Sequence, residues 1–407
     1  MTADAIGLIS QGDGARLGAC TGEIMAASGS EAGDLRAGSY RLTQLEAVRG
    51  IASLVVVFHH FALGFVPAIR LRFPDGIAGT PLFCLINGSA AVTLFFVLSG
   101  FVLTRRYFDR GRAGGELAIA AAKRMPRLWV PATASAILAW LVISLDLTWN
   151  VEAARSTGSD WLRLYANAGF PAAYRPHLAT VMGQSVTLFF HPANPGLVNT
   201  NLWTMYFELF GSMLCFAIVW LLLAMEARRW WPVVPAGMTV LALIAVLGAA
   251  ALPFLLGACL ARFYRPGGLS LSKIGGIGLM LAGLALCGMD GFVPENIGAV
   301  IILLAVLACP SLARGLSGRF GSFLGRYSFP VYLVHLTVIL SASSFVFVKL
   351  NDRGWDEALV LLGTGVVTLV LTFLAAWPFV ALEDWWVPKL NRIAGIVQRG
   401  LSPSRPA

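Results

Sequence analysis

Charge is scarce in this sequence. Asp, Glu, Lys and Arg make up 13% of the 407 residues, about half the share found in a soluble domain. Hydrophobic residues make up 57%. Together these exclude a water-soluble enzyme, a disordered chain and a fibrous protein. Cysteine is also sparse: Cys20 lies in the N-terminal stretch and Cys84, Cys215, Cys259, Cys287 and Cys309 in apolar surroundings. No disulfide framework and no metal-ligand spacing follow from that pattern. There is no Walker-type glycine loop, no GxSxG elbow, no HExxH and no CxxC pair, so nucleotide hydrolysis and zinc chemistry have no support.

What remains is a polytopic membrane protein, expected to be an all-α bundle. Apolar runs cover 50–69, 81–103, 128–145, 202–225, 230–261, 274–289, 297–313, 329–348 and 358–382. The run 230–261 would reach about 48 Å as one helix, well beyond a hydrocarbon core of about 30 Å. Gly248 and Pro253 offer a break there, giving about ten spans.

The net charge of +9 is distributed as short basic clusters between these runs, which speaks for membrane topology rather than nucleic acid. With ten spans and both termini cytoplasmic, only Arg70, Arg72, Arg155, Arg163, Arg175, Lys349 and Arg353 fall outside. A nine-span path would put the last three basic clusters on the outer face, against the positive-inside rule. Residues 1–40 show no signal-peptide pattern and read as a flexible cytoplasmic tail, 41–390 as the membrane domain, and 391–407 as a second cytoplasmic tail. The segment 147–200, with Trp149, Trp161, Tyr165, Tyr174 and a Pro/Asn-rich stretch at 191–195, is expected to cover the outer end of the bundle.

Ionisable groups within spans cost about 2.5–3.5 kcal/mol each on insertion scales, so each asks for a reason. They are Arg49, His59, His60, Glu208 and His335. Arg49 and His60 are 11 positions apart, an offset of about 20° after three full turns, so they share one face about 16 Å apart along the axis. His59 falls about 80° away. A neutral imidazole in such a place suits proton removal from a hydroxyl, and a hydrogen-bonded core histidine is the plain alternative. Residues 105–127 read as a basic loop in which Arg124 and Arg127 open the third span. Topology accounts for such a loop, and two guanidiniums there could equally grip a phosphorylated ligand.

Five segments in order resemble the acyltransferase 3 family of integral membrane acyltransferases. They are Leu45-Glu-Ala-Val-Arg-Gly-Ile-Ala52 followed by His60, Phe95-Phe-Val-Leu-Ser-Gly-Phe-Val-Leu103 and Arg124-Met-Pro-Arg-Leu-Trp129. After these come Leu202-Trp-Thr-Met-Tyr-Phe-Glu208 and Leu324-Gly-Arg-Tyr-Ser-Phe-Pro-Val-Tyr-Leu-Val-His335. Glu46 stands where the family usually has Asp. The sequence given has no SGNH-type hydrolase segment after its last span.

The resemblance implies O-acyl transfer from acyl-CoA, as donor substrate rather than tightly bound cofactor, to a hydroxyl of a sugar or glycolipid of the bacterial cell envelope. Acetyl-CoA is the expected donor and the bacterial inner membrane the expected location. It implies Arg124 and Arg127 as CoA-phosphate ligands and His60, oriented from Arg49, as general base or acyl-accepting nucleophile. Glu208 would orient the acceptor or the imidazole. Trp203 could stack on a sugar, and Ser99, Ser328, Tyr332, His335 and Glu46 form a second tier. A proton-coupled transporter or flippase is the alternative that buried His and Glu also permit.

Overall fold

In the computed structural model the residues described are 42–111, 114–170, 175–191 and 196–401. The expected N-terminal tail, Arg112, Tyr174, most of the Pro/Asn-rich stretch and residues beyond 401 lie outside them. The described residues from Thr43 onward form one compact unit, and no strand occurs among the described residues.

The helices are α1 (Thr43–Phe65), α2 (Gly88–Arg110) and α3 (Gly114–Ser144), then α4 (Asn150–Thr157), α5 (Asp160–Arg163) and α6 (Leu178–Thr187) in the segment between long helices. They continue with α7 (Thr204–Glu226), α8 (Trp230–Leu247), α9 (Ala251–Phe263), α10 (Lys273–Gly288), α11 (Phe292–Ala308) and α12 (Pro310–Leu316). The last are α13 (Arg319–Val338), α14 (Ser344–Asp352) and α15 (Glu357–Leu401). Among the described residues, seven helical segments are long and apolar enough to cross a membrane. The chain is an all-α polytopic bundle.

The run 230–261 reverses at Gly248. Tyr206 Oη, near the start of α7, donates to the Val246 carbonyl at 3.5 Å. Phe254 packs on Gly211, and at the far end of α7 Glu226 pairs with Arg262 at 2.7 Å. Following α7 downward therefore means going backward along α8 and forward along α9, so the two are antiparallel. Gly248 makes the turn with φ +56° and ψ −134°, a conformation that glycine enters without a Cβ penalty. At 13, 16 and 17 residues, α9, α10 and α11 reach only about 20–26 Å, shorter than a typical core.

The expected loop 105–127 is instead helical. α2 runs to Arg110 with Gly111 as its left-handed cap, and α3 begins at Gly114. Arg, Lys, Ala and Glu are good helix formers, so a basic stretch prolongs a span past the lipid core as readily as it ends one. Glu116 then pairs with both Arg106 and Arg110 across the helical hairpin. Likewise α15, at 45 residues, continues to Leu401, beyond the expected boundary at 391. Just before that boundary, Trp386 Nε1 of the same helix donates to the Pro126 carbonyl at 3.0 Å.

The helix pair that matters most is α1 with α13. They run side by side and parallel, with Ala47 against Gly321, Gly50 against Leu324 and His60 against His335. The offset stays nearly constant along the contact, so one register sets all three. Close approach depends on glycine: a Cβ on Gly50 would overlap the Leu324 backbone, and one on Gly325 would meet Glu46. Gly50→Ala is therefore expected to destabilise by about 1–3 kcal/mol through overpacking and to lower activity by separating the two histidines. Thermal unfolding in detergent alongside an activity assay checks both.

Candidate active site

His60 and His335 face each other, with His335 Nε2 3.1 Å from His60 Nδ1. Their backbone partners fix where the protons sit. His335 Nδ1 is 2.8 Å from the Tyr332 carbonyl. A carbonyl only accepts, so that nitrogen is the protonated one and Nε2 carries the lone pair. His60 Nδ1 therefore donates, shared between His335 Nε2 and the Val56 carbonyl at 2.9 Å. By elimination His60 Nε2 is the unprotonated nitrogen, and it accepts no hydrogen bond among the described residues. His335 is fully buried and Trp161 nearly so; the indole stacks on the His60 ring at 5.4 Å.

His59 serves differently. Its Nδ1 lies 3.0 Å from the Gly88 N–H and 2.9 Å from the Ile86 carbonyl, so it ties α1 to the start of α2. Gly88 is required there, because a Cβ would collide with the imidazole. The helical phase that separates His60 from His59 corresponds to two distinct environments.

A second cluster lies toward the basic end. Glu208 Oε1 pairs with Arg124 Nη2 and accepts from Ser99 Oγ at 3.0 Å, while Arg124 Nε donates to Ser212 Oγ at 2.7 Å. Both charged side chains are 12% exposed. Glu208 thus engages Arg124 rather than an imidazole, and Arg124 already has an anionic partner, so the separate roles expected for the two become one unit. Arg49 and Arg127 lie within electrostatic reach of Arg124, as does Glu383 of Arg127. Arg49 Nε is buried with no acceptor, and Arg127 is exposed.

Tyr332 lies between the clusters: its hydroxyl is 2.6 Å from Thr204 Oγ1 and its carbonyl holds His335. Three expected residues lie apart. Ser328 donates to Gly325 of its own helix at 2.9 Å. Trp203 is 46% exposed and edge-on to Phe207. Glu46 is exposed at the α1–α13 contact.

Sequence reading placed Trp161 only in the covering segment and gave no site role to it, Asn199 or Asn201. Asn199 Nδ2 donates to the Leu333 carbonyl at 2.9 Å and Asn201 Nδ2 to that of Tyr332, so together they brace the stretch of α13 carrying His335. Their position immediately before Leu202-Trp203, two amides among apolar neighbours, was the available signal. A cavity of about 280 Å³ in the segment after α3 is lined by Asp146, Trp149, Asn150, Glu152 and Tyr165 among others. Asn150, in its lining, donates to the Leu162 carbonyl at 2.7 Å, one residue along the chain from Trp161. Burial pushes the Tyr165 phenol well above its usual pKa, keeping it a neutral donor.

A comparison with protein families matches residues 42–377 to the acyltransferase 3 family, described as an acyltransferase domain. No curated protein matches the chain, and no solved structure does either. The family match spans most of the chain and nearly the whole helical bundle, with both clusters but for Glu383 inside it: this chain belongs to the acyltransferase 3 family and is a multi-pass membrane acyltransferase.

Proposed function

We propose that the protein moves an acyl group, acetyl in the first instance, from acyl-CoA to a hydroxyl of a sugar or glycolipid of the bacterial cell envelope, working in the inner membrane. The observation carrying this reading is the open Nε2 of His60, held unprotonated by a partner whose own proton is tied to a carbonyl. In the reaction, Nε2 takes the proton of the acceptor hydroxyl as its oxygen attacks the thioester carbonyl. The C–O bond forms, the C–S bond breaks, and the proton on Nε2 passes to the departing CoA sulfur. While His60 carries two protons, its Nδ1–H points at the lone pair of His335 Nε2, which supports the imidazolium.

Arginines at the basic end supply the donor site in this reading. Arg124 is anchored by Glu208, leaving Arg127 and the unpartnered Nε of Arg49 to face CoA phosphates, a geometry that guanidinium groups suit. Arg127→Ala is expected to raise the acyl-CoA KM about tenfold with a smaller change in kcat, because the contact is made equally in ground and transition states. Steady-state kinetics with varied donor checks this. The reading as a whole is tested with purified protein, labelled acetyl-CoA and envelope glycans. Label appearing in an ester on the glycan supports it, and label that never leaves CoA refutes it.

A further inference from the structure

We propose that Arg70 binds an anionic group of the acceptor, a carboxylate or a phosphate, so that the acceptor is an acidic sugar or glycolipid. The inference rests on the acyl-transfer reading and names the class of its acceptor.

Arg70 ends the short 3-10 turn Pro67–Arg70 that follows α1, ten residues after His60 and at the end of the bundle opposite the arginines of the donor site. Its mounting is fixed. Ile77 N–H donates to the Ile69 carbonyl at 2.9 Å and Ala78 N–H to that of Leu71 at 3.0 Å. Gly76 is enclosed so tightly that a Cβ would run into the carbonyls of Ala68, Ile69 and Leu71. The cation therefore sits on a preformed loop, which lowers the cost of ordering it on binding.

Among the described residues the guanidinium has no ion-paired counter-ion. Its Nε is buried without a hydrogen-bond acceptor, and no carboxylate lies within ion-pair distance of it among the described residues. Burial pushes the Arg70 pKa down, and the more distant Asp290 partly opposes this. Glu295, the buried carboxylate at this end, is already occupied by Asn87 Nδ2 at 3.1 Å, Ser89 Oγ at 2.7 Å and Gly291 N–H at 3.4 Å. A half-buried cation with a spare N–H is a receptor for a planar or tetrahedral oxyanion. Arg70 is also within electrostatic reach of His59 and His60, so an anion bound there is held on the same side of the bundle as the base.

The experiment uses detergent-purified full chain, labelled acetyl-CoA and three acceptors of equal size: a uronate-bearing oligosaccharide, its neutral methyl ester and a glycosyl phosphate. The wild type is expected to favour an acidic acceptor over the ester by at least about tenfold in kcat/KM. Arg70→Gln should collapse that ratio by about ten- to a hundredfold, mainly through acceptor KM. Arg70→Lys should retain part of it, and Arg72→Gln, on an exposed arginine of the same loop, all of it. Whichever acid loses its advantage in Arg70→Gln identifies the anion. Equilibrium dialysis of the labelled acidic oligosaccharides reads the contact without donor, and Arg70→Gln should weaken binding about tenfold. Equal binding by both proteins, or a preserved ratio, overturns the proposal. So does an equal loss on acidic and neutral acceptors with a displaced pH profile, which would make Arg70 an electrostatic modulator of His60. Transfer without charge discrimination counts against Arg70 alone, whereas no transfer to any acceptor counts against the acyl-transfer reading.

Discussion

His60→Ala lowers kcat/KM for acyl transfer by about 10²–10⁴-fold, the range a positioned general base supplies, while His59→Ala retains most of the turnover. The contrast follows from the partners of adjacent rings. Nδ1 of His59 is committed to the backbone at Ile86 and Gly88, so its loss loosens the α1–α2 junction. The open nitrogen of His60 has no such structural duty. His335→Gln costs less, about ten- to a hundredfold, as is typical for a partner that orients a reactive imidazole. Labelled-donor kinetics on the three variants, each checked for a folded peak by size exclusion, decides the matter. Full turnover in His60→Ala would remove the imidazole from the chemistry.

The second large effect is on stability. Glu208→Ala leaves Arg124 buried without its carboxylate, and truncating one member of such a pair costs about 3–5 kcal/mol. The double change Glu208→Leu with Arg124→Met should recover much of that loss, because two well-packed apolar side chains carry no desolvation penalty. Thermal or denaturant unfolding in detergent gives both values. Activity in the double variant should stay low, since it removes the guanidinium that Glu208 and Ser212 hold in place. A double variant no more stable than Glu208→Ala would show that the pair is not what the single substitution disrupts.

Several features of this site were legible in the sequence. The Arg49–His60 stripe follows from helical phase within one span, and the ordered family segments bring His335, Glu208 and Arg124 into view. The reversal at Gly248 was also legible, because 32 apolar residues exceed a bilayer and glycine offers the turn. Partnerships were harder to see. That Glu208 pairs with Arg124 and His60 with His335 depends on how helices far apart in sequence pack, and no periodicity within one helix encodes that register. The basic stretch around Arg124 was misread as a loop because hydropathy registers where lipid ends, whereas the helix ends only where its cap, Gly111, and the next start at Gly114 allow. Trp161 was hidden for a similar reason: it reaches the imidazole from a short helix outside any apolar run.

The parallel pairing of α1 and α13 also bears on how the protein is made. His60 and His335 are separated by 275 positions. At a synthesis rate of about 5–20 residues per second, the first histidine waits roughly 14–55 s after leaving the ribosome before its partner exists. Throughout that interval the His60 ring has only the Val56 carbonyl of its own helix as a partner, and α1 stays available to whatever insertion factor shields it. The enzyme can acquire its chemistry only near the end of its own translation.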